Sequence, residues 1–193
     1  MRTFLKKKHP RKKEGHKKRM KLAQGAYIRE FIFGIEDGLV STLGFVVGLT
    51  TAAASNRIII IGGIAAMVAA AISMAAGTYL SIKSQKEFFD TRERRKSKHY
   101  HLENPTKGAM IMFISFIFGA LIPILPYFFI TSNKALVVAA LLTIVTLFIF
   151  GASKTRLTKR NWFKSGFEMA AVGIIAAAAG LIVGLIARSY FGV

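Results

Sequence analysis

Five apolar blocks, at about residues 31–54, 58–82, 108–131, 135–153 and 167–187, constrain this chain more than anything else in it. A helix rises 1.5 Å per residue, so roughly 20 apolar residues cover the ~30 Å of hydrocarbon in a bilayer. Every block meets that requirement, the fourth with little to spare. Lipid offers no water to satisfy backbone polar groups, so segments of this length and character cross it as helices. The sequence predicts an all-α integral membrane protein with five transmembrane helices. The 53% hydrophobic content and the mean hydropathy of +0.45 agree.

The net charge of +19 would suit a nucleic-acid partner if it were spread over a folded surface, but it is not. Twelve Lys and Arg fall in residues 1–29, eight in 83–107 and five in 154–164, leaving only Arg57, Lys134 and Arg188 elsewhere. With five spans, the three rich segments lie on one side and the three isolated residues on the other. That is the positive-inside pattern, and it predicts a cytosolic N-terminus and an external or lumenal C-terminus. The division expected is a basic cytosolic tail, 1–28, and a transmembrane domain, 29–193. Residues 1–21 have little to bury and are expected to be disordered, setting topology and attracting anionic lipids. No aromatic residues or recognition fold interleave those charges, so no nucleic acid is expected. Cysteine is absent, which excludes disulfides and thiolate metal sites.

The first two blocks are separated by only Ser55, Asn56 and Arg57 and are expected to form an antiparallel hairpin. Glu36 and Asp37 lie in the first span, where a carboxylate is costly and commonly marks an ion pathway. Asp37, Ser41, Gly44 and Gly48 share one helix face, while Glu36 is turned about 100° away from it. In the second span Ala66, Ala70, Ser73, Gly77 and Ser81 form a small-residue stripe beside Met67, Met74 and Thr78. Methionines at helical spacing are more often packing than chemistry, but the hairpin puts Met74 at nearly the depth of Asp37.

The third span carries Pro123 and Pro126, each lacking a backbone donor, so a packing kink or a broken helix lining a cavity is expected. The fourth has no ionisable group and reads as scaffold. Glu168 opens the fifth, where it either favours the helix dipole or joins the acids of the first span. Gly173, Ala177, Gly180 and Gly184 then form a face that should pack closely on a neighbouring helix or a second subunit. Between the second and third spans, Glu87, Asp90, Glu93, His99 and His101 read as a solvated charged connection, with weak metal capture as the alternative.

No phosphate-binding glycine loop, HExxH, nucleophile elbow or intramembrane histidine is present, so no enzyme is expected. What remains in the spans is Glu36, Asp37, Met74, Thr78 and Glu168. Carboxylate oxygens with one thioether suit a borderline divalent ion such as Fe²⁺ or Mn²⁺, and the same carboxylates can bind protons.

Asp37-Gly-Leu-Val-Ser-Thr-Leu-Gly, Ala71-Ile-Ser73-Met74-Ala-Ala-Gly77-Thr-Tyr79, Gly119-Ala-Leu-Ile-Pro123-Ile-Leu-Pro126-Tyr127 and Ser165-Gly-Phe-Glu168-Met169, in that order, resemble the vacuolar iron transporter family. The resemblance covers roughly residues 29–189. It implies a five-helix protomer, a homodimer, and export of cytosolic Fe²⁺ or Mn²⁺ in exchange for protons, the metal being substrate and not cofactor. Asp37 and Met74 match the family's membrane-embedded metal positions. The chain resembles a short form, because a glutamate-rich cytosolic metal-binding domain found between the second and third spans of some members is replaced by a short basic connection. The membrane implied is the plasma membrane for a prokaryotic chain and a vacuolar or other endomembrane for a eukaryotic one. Two other readings stay open at this point: a non-transporting scaffold acting through its basic tail, and a passive divalent-cation channel.

Overall fold

The structure, a computed structural model, describes residues 11–92, 104–158 and 161–191, and every regular element among them is an α-helix. In chain order these are α1 Arg11–Thr51, α2 Asn56–Arg92, α3 Pro105–Ile124, α4 Pro126–Phe129, α5 Ser132–Thr158 and α6 Trp162–Phe191. With α3 and α4 counted as one broken span, five segments are long and apolar enough to cross a membrane: Gln24–Thr51, Asn56–Phe88, Pro105–Phe129, Asn133–Thr155 and Trp162–Phe191. The helices overrun the apolar blocks because a nucleated helix propagates readily through Lys, Arg, Gln and Met. For that reason α1 reaches back to Arg11, and residues 11–21 of the expected disordered tail are helical. Residues 1–10 lie outside the described residues.

Helix direction follows from the close approaches at glycine. A Cβ on Gly38 would strike the Phe116 carbonyl and stand 2.9 Å from the Ala120 amide, while one on Gly34 would strike the Ser115 hydroxyl. Rising numbers on α1 thus meet rising numbers on α3, so the two run parallel. Gly44 and Gly48 approach the carbonyls of Ala176 and Gly180 in the same sense, making α6 parallel to α1 as well. Gly63 against Ile124 and Gly108 against Ile82 set α2 antiparallel to α3, and Gly151 against Ser165 sets α5 antiparallel to α6. The start of α1, the α2–α3 connection and the α5–α6 connection therefore share one end of the bundle, here the basic end. Arg57, Lys134 and Arg188 lie toward the other, the far end.

α1 is the central helix: Leu39, Leu43 and Val46 are fully buried, and its main partners are α3 and then α6. The small-residue faces expected on the first and fifth spans do meet, Gly44 and Gly48 lying against Gly180 and Gly184. The expected antiparallel hairpin is present, since α2 runs opposite to α3 and so to α1, but its two helices are not a close pair. α2 follows α1 directly but touches it little and leans on α3, through Met67 and Ala71 against Phe116 and Ala120. The glycines of α1 draw α3 and α6 against it, which leaves α2 at the edge of the bundle. As a result Ala66, Ser73, Gly77 and Ser81 are exposed.

At the far end α3 gives way to the short α4. Neither Pro123 nor Pro126 can donate a backbone hydrogen bond, and the chain re-forms a short turn in which Ile130 N–H donates to the Pro126 carbonyl at 3.0 Å. The Asn56 side chain donates to the carbonyls of Tyr127 and Ile130 at 2.9 and 2.7 Å, and the buried Tyr127 hydroxyl meets Thr50 at 2.7 Å. Leu125, between the prolines, keeps helical dihedrals (φ −48°, ψ −46°), so the prolines interrupt the hydrogen-bond ladder of a span that stays helical, and side-chain bonds there link α1, α2 and α4.

Candidate functional site

A cavity of about 760 Å³ lies at the basic end between α1 and α2, with Met112 of α3 on its wall. From α1 come Arg29, Glu30 and Phe33; from α2 come Met74 and Thr78, with Ser73, Ser81 and Gln85 around them. Helical spacing explains the grouping, since Met74, Thr78, Ser81 and Gln85 recur at three and four residues and share one side of α2. The donors gathered are a carboxylate, a thioether, hydroxyls and an amide. That set fits a borderline divalent cation better than an alkali ion. Glu30 is only 6% exposed, and its Oε1 accepts from Arg29 Nη2 at 2.6 Å and from Nε at 3.2 Å. The guanidinium thus partners the acid, and a metal at Glu30 would have to exchange with it.

Seven residues separate Glu30 from Asp37, which is two turns, so the two carboxylates lie on one stripe of α1 about 10 Å apart along its axis. Ser41 is one turn further on, its Oγ donating to the Asp37 carbonyl at 2.6 Å. Gly44 and Gly48 continue the stripe to where α6 closes over it. Between the buried Glu30 and that closure the stripe is partly uncovered, with Asp37 half-buried and Ser41 exposed. The polar stripe of α1 and the small-residue stripe of α2 are both open to the surroundings of the protomer.

The residues expected from sequence divide into two groups. Met74 and Thr78 line the cavity; Asp37, Glu36 and Glu168 are not on its wall. Glu36 is half-buried, a different side of α1 from Asp37. Glu168 is exposed, and α6 starts earlier than expected, at Trp162, where Asn161 Oδ1 accepts from the Phe163 amide at 3.1 Å. Asn161 therefore caps the helix, and Glu168, nearly two turns inside, does not. Among the described residues no three of His, Asp and Glu come together closely enough to hold a metal within one protomer. Met67 is core packing. Of the charged residues expected in the connection, Lys83 and Glu87 lie on the last turns of α2 and pair at 4.0 Å; the Asp90 side chain, Glu93, His99 and His101 lie outside the described residues. Sequence reasoning missed Glu30, which falls beside Arg29 at the edge of the basic tail. Its seven-residue spacing from Asp37 was the signal that could have found it.

A sequence model of the VIT family matches residues 28–101 and 94–185, nearly the whole of the bundle. The chain belongs to the VIT family. It is 29% identical over 209 aligned positions to "Vacuolar iron transporter 1" of Eucalyptus grandis and 28% identical over 209 to that of Arabidopsis thaliana, covering 80% of this chain and 84% of each relative. It is 32% identical over 129 positions to "Vacuolar iron transporter homolog 4" of Arabidopsis thaliana, covering 63% of this chain and 65% of the relative. Since 80% of 193 residues is about 154, some 55 of the 209 aligned positions are present in the first relatives and missing here. With homolog 4 the matched share is about 122 residues in 129 positions, so almost none are missing. The two segments matched by the VIT family model meet at residues 94–101, in the α2–α3 connection where the short form was expected to lack a domain.

Proposed function

We propose that this VIT family protein is a proton-coupled transporter that moves Fe²⁺ or Mn²⁺ out of the cytosol, with its basic end cytosolic and its path completed by a second copy of the chain. The observation that carries the reading is the cavity at the basic end, where Glu30 of α1, two turns below Asp37 on the same stripe, shares a wall with Met74 and Thr78 of α2. The charge distribution supports a cytosolic basic end. A cation entering there meets the Glu30 carboxylate first, then the soft sulfur of Met74, then Asp37. At the far end hydrogen bonds join Thr50 to Tyr127 and Asn56 to the Tyr127 carbonyl, which supports a carrier open at its basic end. Carboxylates that hold either a metal or a proton give the exchange its physical basis, because occupation by one displaces the other. Glu168 lies exposed near the basic end of α6, where it would guide cations toward the mouth. The relatives' names support a vacuolar membrane as the site of action in a eukaryotic cell and iron as cargo.

Partnership with a second copy is supported by the openness of the stripe. Asp37 and Met74 are on different helices that barely touch within one protomer, and a half-buried acid facing lipid would be destabilising. Pairing two copies through the exposed faces of α1 and α2 would bring two Asp37 and two Met74 around one axis.

The test is metal uptake into proteoliposomes with an acidic lumen. Asp37→Asn, which keeps the shape and removes the exchangeable charge, is expected to reduce Fe²⁺ and Mn²⁺ uptake to the level of empty vesicles while the protein elutes and melts as wild type. Uptake that persists in this variant would remove Asp37 from the path. Uptake that follows the metal gradient alone and ignores the pH gradient would replace the carrier with a channel.

A further inference from the structure

The metal cavity lies on one flank of α2. On the opposite flank, about half a turn round the helix, α2 and α3 enclose a second groove of about 540 Å³, lined by Ala75, Ala76, Tyr79 and Leu80 from α2 and by Ala109, Met110 and Phe113 among others from α3. Its floor is made by alanines and its walls by larger apolar side chains, a shape that accepts a linear chain. On α3 the lining runs from Thr106 to Ile114, eight residues or about 12 Å along the axis. That is close to the depth of one leaflet, half of the ~30 Å hydrocarbon. The groove starts at the basic end and stops near mid-membrane.

Charge at its mouth identifies what would fill it. Lys83 follows Ala76 by seven residues and Tyr79 by four, so it stands on the groove side of α2 just beyond the lining; Lys86 follows Tyr79 by seven. Lys107 precedes Ile114 by seven and stands at the same level on α3. Lys83 and Lys107 are exposed and Lys86 is half-buried. Among the residues whose side chains are described, the acid close by is Glu87, which pairs with Lys83 at 4.0 Å, against the three lysines. The first turn of α3 adds the positive end of its dipole, and Thr106 lines the same mouth.

We infer that the α2–α3 groove is a site for one anionic phospholipid of the leaflet at the basic end, an acyl chain lying between Ala76 and Ala109 and the phosphate meeting Lys83, Lys86 and Lys107. The site is separate from the metal path and does not depend on it. A lipid held there would brace α2, which has few partners in the protomer besides α3.

Native mass spectrometry of the full chain in detergent, with phosphatidylglycerol or phosphatidylcholine added, tests the assignment. Phosphatidylglycerol should be retained in preference to phosphatidylcholine, and Lys83→Ala/Lys107→Ala should weaken its retention about tenfold. The twelve Lys and Arg of residues 1–29 can also hold anionic lipid, so a second variant is needed. Ala76→Trp fills the groove from an exposed position and leaves every charge in place; it should abolish the retained lipid. Retention in Ala76→Trp equal to wild type would assign the lipid to the basic tail and overturn the proposal. Equal retention of both lipids would overturn the headgroup assignment. A disulfide between copies at Ile114→Cys, in this otherwise cysteine-free chain, would make the groove a subunit interface and overturn it too.

Discussion

Tyr127 and Thr50 share one buried hydrogen bond, and counting protons fixes its direction. The Thr50 hydroxyl has a single proton and stands 2.7 Å from the Val46 carbonyl, which can only accept, so Tyr127 must donate to Thr50. Tyr127→Phe removes that donor and leaves Thr50 satisfied by Val46. The expected loss is about 1 kcal/mol of stability, read as a lower melting temperature. If this link helps to hold the far end shut, Ser55→Cys, placed in the cysteine-free chain, should also label faster with a water-soluble maleimide in the Tyr127→Phe background. An unchanged labelling rate would reduce the link to a packing contact. Much at this scale was legible in the sequence: Asp37 and Met74 stood out because polar and soft side chains are rare in apolar runs. Glu30 did not, because a carboxylate next to Arg29 looks like part of a charged surface until α1 is seen to bury it. Glu168 opens the apolar block of the fifth span, but the helix itself begins at Trp162, where Asn161 is the cap that marks its start.

Among the elements, glycine decides which helices are neighbours. At Gly38 an added Cβ would meet backbone atoms of Phe116 and Ala120, which cannot move without shifting α3. Gly38→Ala is therefore expected to cost about 1–3 kcal/mol as overpacking. Gly25, in the same helix, has nothing within 4 Å of such a Cβ, and Gly25→Ala should be stabilising by about 0.5–1 kcal/mol. Thermal melting in detergent separates the two; similar behaviour would mean that helix propensity, not close approach, governs α1. The small-residue faces of the first and fifth spans were visible in the sequence and do pack together. What the spacing of residues could not reveal was the place of α2. A short connection makes two helices consecutive, yet which faces meet depends on what the remaining helices offer. Gly34, Gly38 and Gly119 gave α3 the closer approach to α1.

For the whole molecule, the decisive feature is an open face. Ser41, Ser73, Gly77 and Ser81 are exposed on α1 and α2, and Phe33 is 49% exposed beside them, while Asp37 is only half-buried. Polar and small side chains facing acyl chains satisfy neither hydrogen bonding nor packing, whereas small residues let a second pair of helices approach closely. A two-fold contact of this kind is isologous, so a residue near the axis meets its own copy. In the proposed dimer Ser41, one turn beyond Asp37 on the same stripe, would be such a residue, and the chain carries no cysteine to confuse the result. Ser41→Cys in reconstituted membranes is expected to form a disulfide-linked dimer on mild oxidation, because two-fold packing brings the paired Cα atoms within the ~7 Å that a disulfide spans. Ile175→Cys on the exposed outer side of α6 should not. Cross-linking at Ile175 without any at Ser41 would move the interface to α6 and leave Asp37 facing lipid, which is incompatible with a metal path completed between copies.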